Sequence, residues 1–441
     1  MPTARRGPEP GSQGARAELV RRPAKPEGGT AERPSMKNCI LAVILLAVAA
    51  MPAAGQPIRF DDVVRNLRNP DPKFRLDALR LLRDARYPEA IVPVAALIAD
   101  PLDAIQLEAI ATELSFFMVD DVSPKKRFAL VIEKRSAGHA AAAFEAGPLA
   151  AWPRPAPLEL LRGLLQAVDD ESPKVRIEAI YALGVIGRKP FPPELDAALI
   201  KVLDHYDPAM RAGAAKVIGR LQVTSAGDAL IRAVNDSNAA VRYASMRALG
   251  ELRETRALAA LTEQLAFYGR GEGAWSALDA LARIGHASSV PTFKARLVDK
   301  DPFLRRASAE GLARAGDESE TAALEIGAGS DSSEMVRAAM AFALQKSGRN
   351  YVSRLADVMD SAKMAQQVAE YLVELGPAIV PALLPHLQDP DGAIRGNVAL
   401  VLGAVGGDEA IEALKPLTQD SDRDVARAAT RAIERIKLSK N

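Results

Sequence analysis

The sequence predicts an all-α chain folded as a right-handed α–α superhelix, a solenoid of about ten or eleven stacked helix pairs. Three observations point there. One residue pattern recurs from Phe60 onward at intervals of about 28–35 residues, the spacing of repeat arrays. Aromatic residues make up only 5% of the 441 residues, and Ala and Leu dominate the hydrophobic 48%, which favours helices over strands. No segment alternates polar and apolar residues with period two, so no sheet is expected.

Each unit opens on a turn residue, continues with an apolar residue followed by Arg, and runs towards Leu-Gly. The clearest copy is Ser172–Gly187, in which Val175, Ala179, Leu183 and Ile186 recur at spacings of three and four. Ser or Asp as N-cap, with Pro in the first helical position, starts such a helix. Gly187 and Gly250 close theirs. The anchor recurs at Asp71–Arg75, Asp207–Arg211, Val241-Arg242, Asp301–Arg305, Val336-Arg337 and Asp391–Arg395. Degenerate copies stand around Ile105-Gln106, Gly273-Ala274, Met364-Ala365 and Val425-Ala426. A second amphipathic stretch follows the anchor, as at 194–203, 226–234, 257–265 and 409–417. Small residues at equivalent positions (Ala179, Ala214, Ser245, Ala277, Ser308) let neighbouring helices approach closely.

This string resembles the HEAT-repeat superfamily, above all its short variety, the HEAT-like repeat of phycobilisome lyases. The resemblance covers about residues 60–436. The signatures of tetratricopeptide and ankyrin repeats are absent. The resemblance implies an armadillo-type superhelix with anchor helices lining the concave face. It also implies that the anchor arginines Arg75, Arg176, Arg211, Arg242, Arg305, Arg337 and Arg395 form a ladder, each bonded to the turn Asp of a neighbouring repeat. The rival reading is a stripe that tracks nucleic-acid phosphates. Charge argues against it: the formal net charge is +1, and about −3 without residues 1–55. No nucleic-acid partner is expected.

One interval breaks the period. Gln106 and Arg176 lie about two repeat lengths apart. An irregular insertion at 136–157, with Gly138-His139, Pro148 and Trp152-Pro153-Arg154-Pro155, accounts for it. A loop of that length is either functional or disordered.

Residues 1–35 are rich in Pro, Gly and Arg and read as a disordered extension, or as a mis-assigned start, since Met36 can initiate. Met36-Lys37-Asn38, the apolar run Cys39–Ala50, and then Ala53 and Gly55 read as a secretory signal at 36–55, cut before Gln56. The array, 57–441, is then exported to the periplasm or the exterior. The alternative is a membrane anchor formed by 39–55, although the run ends at Pro52, short of the roughly 20 apolar residues a span needs. Membrane contact is expected only through an uncleaved signal. Cys39 is the only cysteine, so no intrachain disulfide is possible.

The chemistry of an active site is not apparent. His139, His205, His286 and His386 lie in different repeats, and none precedes Glu. Deoxyhypusine hydroxylase, an enzyme built on HEAT-like repeats, places His-Glu pairs at its iron, and this sequence lacks them. Asp420–Asp424 imitates the start of a calcium loop but has Val425 and Arg431 where Gly and Glu belong. Asp pairs such as Asp169-Asp170 and Asp389/Asp391 read as caps and ladder partners. Gly269–Gly273 reads as an inter-helix loop. No catalytic residue, metal or cofactor is expected.

The expected function is therefore a scaffold that binds a protein partner on its concave face. Side chains just after the anchor Arg, or one turn on, should point there. That selects Tyr181, Tyr243, Arg247, Trp275, Arg306 and Phe342, since aromatics and Arg are the usual interface anchors. Packing between helices is the open alternative for them. The other functional reading is an accessory lyase or chaperone acting on a partner protein, in the manner of a bilin lyase.

Overall fold

The computed structural model describes residues 59–119 and 138–440. The expectations for 1–35 and for the signal at 36–55 lie outside the described residues, as do Ser136 and Ala137 of the insertion.

The described chain is helical, apart from one isolated antiparallel bridge, Met118–Ala151. In chain order the α-helices are α1 (Phe60–Asn66), α2 (Pro72–Ala85), α3 (Ile91–Ala95), α4 (Asp103–Phe117), α5 (His139–Glu145) and α6 (Leu158–Ala167). Next come α7 (Pro173–Ile186), α8 (Leu195–Val202), α9 (Pro208–Leu221), α10 (Gly227–Ala233), α11 (Ala239–Glu251) and α12 (Leu258–Tyr268). Then follow α13 (Gly271–Ile284), α14 (Val290–Arg296), α15 (Pro302–Ala315), α16 (Thr321–Ser330), α17 (Glu334–Lys346) and α18 (Val352–Asp357). The last are α19 (Ala362–Leu375), α20 (Val380–Leu383), α21 (Gly392–Val405), α22 (Asp408–Leu414) and α23 (Arg423–Ser439). Among the described residues no single helix is long and apolar enough to cross a membrane.

Eleven of these carry the anchor pattern: α2, α4, α7, α9, α11, α13, α15, α17, α19, α21 and α23. Each packs on the next, forming one layer, and the shorter helices between them form a second. The small residues set the spacing. Ala179, Ala214, Ser245, Ala277 and Ser308 are fully buried. A Cβ on Gly250 would lie 2.8 Å from the Ala280 Cα, and one on Gly219 would lie 3.0 Å from the Ala248 Cα. Only glycine lets consecutive inner helices approach this closely there.

The turns explain where the inner helices begin. Asp71, Asp207 and Asp301 cap α2, α9 and α15 by accepting the amides of Lys73, Ala209 and Phe303 at 2.8–2.9 Å, with Pro next in line. In most of the turns a second carboxylate stands two residues before the cap position. Asp170, Asp236, Asp331 and Asp420 each accept the amide two residues on, all at 2.8 Å. These Asx turns fix the angle at which the chain enters each inner helix.

Gln106 of α4 donates to Asp170 Oδ2 at 2.8 Å, across 64 residues of sequence. The turn before α7 is therefore the next turn of the array after α4, and most of what lies between is inserted. The described part of that insertion is not the irregular loop the sequence suggested. The run HAAAAFE forms α5, which buries Ala140, Ala143 and Phe144 against the inner layer. Alanine is the best helix former, and a ready apolar surface lies beside it. A Cβ on Gly184 of α7 would sit 2.6 Å from the Phe144 ring, so the glycine provides its seat.

Glu113 of α4 is fully buried, and neither carboxyl oxygen has a hydrogen-bond partner among the described residues. Burial pushes its carboxyl well above the usual range. A carboxyl raised in the fold costs stability as pH climbs from its unfolded value towards its folded one. Glu113→Met is expected to stabilise the protein by about 1–3 kcal/mol at pH 7 and by less near pH 4. Urea denaturation at the two pH values measures this.

Candidate functional site

The inner layer carries three sets of polar side chains, and the third surrounds an open cavity that Arg283, Arg314 and Glu374 of the second also line. The first is the arginine ladder. Arg211 places Nε and Nη2 on the two oxygens of Asp236, both at 2.8 Å, while Nη1 donates to the carbonyls of His205 and Tyr206. Arg75 meets Asp100 at 2.9 Å, Arg305 meets Asp331 at 2.9 Å, and Arg395 meets Asp420 at 2.8 Å, each with the same grip on its own turn.

The other three anchors differ, and the turns explain why. Where an Asp would await Arg176 the chain has His205, and Arg176 instead donates to the Tyr206 hydroxyl at 2.9 Å. For Arg242 that place holds Tyr268, whose hydroxyl accepts at 2.6 Å. For Arg337 it holds Met359, and Arg337 donates to the Asp331 carbonyl without a carboxylate partner among the described residues. The resemblance-based expectation of Asp partners is corrected at these three rungs. Conversely, Asp299 lacks an anchor Arg before it and pairs with Arg296 at 2.8 Å.

The bond from Arg211 holds Asp236 below the usual carboxylate range, and Arg305 does the same to Asp331. Depressed carboxyls contribute stability above their unfolded pKa and lose it as pH falls through the folded one. The contribution of these two carboxylates to the melting temperature is expected to be flat from about pH 8 to 5 and to fall below about pH 4. Asp236→Asn with Asp331→Asn should lower the plateau and flatten the fall. A differential scanning series in pH checks both.

The second set is a buried ionic network across α13, α15, α17 and α19. Glu310, 2% exposed, accepts from Arg306 at 2.6 Å, from Arg314 at 3.2 Å and from the Tyr371 hydroxyl at 2.5 Å. Arg306 and Arg283 also hold Asp279, at 3.0 and 2.9 Å. Burial pushes the Asp279 carboxyl up, but the two guanidiniums override it and keep it well below the usual range. Glu374 joins Arg314 at 2.8 Å to Lys346 at 3.1 Å.

The third set surrounds a central cavity of about 870 Å³. Lys216 and Arg220 come from α9, Arg247 and Glu251 from α11, and Arg253 from the turn after it. Phe144–Leu149 of the insertion form another wall, and Met359, Glu370 and Leu400 face in from the C-terminal repeats. Arg435 of α23 reaches back to the carbonyls of Leu149 and Ala151, both at 2.6 Å, so the array curls until its last inner helix meets the insertion.

Of the side chains selected from sequence, Arg247 lines this cavity, half-exposed and 3.0 Å from Glu251. Tyr181 lies beneath the insertion, 5.4 Å from the Phe144 ring. Tyr243 sits edge-on to Tyr268, and Trp275 stacks on Phe303 at 4.2 Å and donates to Asp301 at 2.6 Å. Both belong to the edge formed by inter-repeat turns, and neither lines the cavity. Two selections are corrected. Phe342 is fully buried against Tyr371, and Arg306 is held by two carboxylates. The selection missed Arg220 and Arg253. A sequence signal for Arg253 exists: it stands at the helix end where later repeats have Gly285, Gly316 and Gly348, and its φ there is left-handed at 53°. Among the described residues no group of three His, Cys, Asp or Glu side chains is placed to hold a metal. His205 and His286 instead accept amides in their own turns.

The profile of HEAT repeats matches residues 196–266, 271–345 and 352–434, and the profile of the single HEAT repeat matches 160–189. The chain belongs to the HEAT-repeat family. A search of curated proteins returned no match. Among solved structures, this HEAT-repeat chain is similar to an engineered protein, at 17% identity over 85% of this chain and 98% of that one, with a TM-score of 0.38. It is similar to the complex of CpcE and CpcF of phycocyanin lyase from Nostoc, at 19% identity over 56% and 99%, with a TM-score of 0.38. Human deoxyhypusine hydroxylase matches at 19% identity over 63% and 96%, with a TM-score of 0.26. The family assignment rests on the repeat profiles.

Proposed function

We propose that this HEAT-repeat protein is exported and works as a scaffold that holds a protein partner on its concave inner face. HEAT repeats generally mediate protein interaction. The observation that carries the reading here is the central cavity, which gathers cations from successive inner helices and in which Arg220 and Arg253 have no carboxylate partner among the described residues. A ladder arginine is satisfied by its own turn, whereas these two are not. Immobilised full-length chain is expected to retain one protein from an envelope extract of its native host at near-stoichiometric yield. Retention of only a small molecule or a metal would replace the scaffold with an accessory enzyme.

Export rests on the sequence of 36–55. The mature product is expected to begin at Gln56 when its mass is measured from the native host. Recovery of residues 1–35 on a soluble cytosolic form would refute it.

A further inference from the structure

We infer that the central cavity receives an acidic peptide segment of the partner, with Arg220, Arg247 and Arg253 taking its carboxylates. This inference rests on the scaffold reading and adds the partner's chemistry to it.

The chain itself shows what this surface holds. The insertion lays Phe144-Glu145 along the inner layer. Glu145 accepts from Lys216 Nζ at 2.7 Å, and the Phe144 ring lies 4.1 Å from the Arg220 guanidinium carbon. An aromatic side chain followed by a carboxylate is therefore a good fit to Lys216 and Arg220. Arg247 occupies on α11 the place that Lys216 occupies on α9, and Arg253 lies beyond it. Past Glu145 the insertion turns away through Gly147, so no further carboxylate of its own follows along that row.

Arg253 adds an independent observation. A non-glycine residue at positive φ is strained. Two other non-glycine residues in that conformation, Arg86 and Gln222, use their side chains structurally: Arg86 bonds to the Val119 carbonyl and Gln222 to the Glu251 carbonyl. The Arg253 side chain is exposed, lines the cavity and bonds to no described residue.

A peptide fits the cavity better than a polyphosphate. Glu251, Asp360, Glu370 and Glu374 interrupt the cations, and Leu149, Met359 and Leu400 supply apolar wall. A nucleic-acid backbone, with a charge at every step, would meet those carboxylates.

The test is fluorescence polarisation with the full chain and three labelled probes: a peptide alternating Phe-Glu with Ala, the same peptide with Lys for Glu, and a single-stranded oligonucleotide. The acidic peptide is expected to bind, and Arg247→Glu with Arg253→Glu to weaken it by about tenfold or more. Arg253→Gly should melt no lower than wild type and still bind the peptide more weakly. Equal binding of the Lys peptide, tighter binding of the oligonucleotide, or no effect of the double substitution would overturn the inference. A native partner retained equally by wild type and the double variant would overturn it too while leaving the scaffold standing. Peptide binding without any retained partner would do the reverse.

Discussion

Glu310→Ala is expected to destabilise the C-terminal half of the array by about 3–5 kcal/mol. The carboxylate is almost fully buried and holds Arg306, Arg314 and the Tyr371 hydroxyl together. Removing it leaves two guanidiniums and a phenol facing one another without their common acceptor. Arg306 would keep Asp279, and Arg314 would keep Glu374, which sets the upper limit. In a repeat array the loss is felt first by the neighbours. Hydrogen exchange should therefore quicken in α13, α15, α17 and α19 and stay slow in α9 and α11. Glu310→Gln keeps the shape and should recover part of the loss. A loss below about 1 kcal/mol, with exchange unchanged, would mean the network is a surface feature.

Phe342→Ala is expected to cost about 3–5 kcal/mol. Its ring is fully buried, stacked on Tyr371 at 4.5 Å and covered by Arg314 and Lys346. Truncation opens a cavity that the helices on either side cannot close. Phe342→Leu should cost much less. Chemical denaturation measures both. If the alanine variant melted like wild type and lost only its partner, Phe342 would be an interface residue after all, and the burial described above would be wrong.

The fate of Phe342 shows where the sequence stops being informative. Its repeat position matches Lys216 and Arg247, which line the cavity, and nothing local distinguishes it. The difference comes from α19, which lies across α15 and α17 and places Tyr371 on Phe342 and on Glu310, 61 residues away from the latter. Contacts at that separation leave no trace in a window the length of one repeat. The helices themselves were legible, because caps, prolines and three-four spacing are local. So were the missing ladder rungs: His205, Tyr268 and Met359 stand where a turn Asp belongs, two residues before each cap position. The helix α5 was obscured by Gly138 before its alanine run and Gly147-Pro148 after it. What holds it, the notch at Gly184 and the cation of Arg220, comes from other repeats.

The central claim is that the inner face is divided, with the ladder and the buried Glu310 cluster serving stability and the cavity cations Arg220, Arg247 and Arg253 serving the partner. Partner retention by two variants of the full chain tests it most directly. Arg247→Glu with Arg253→Glu alters the cavity, and Arg211→Ala breaks a ladder rung. The expected result is a cavity variant that melts near wild type and retains no partner, beside a ladder variant that melts lower and retains it in full while folded. A cavity variant that retains the partner at wild-type yield would contradict the account.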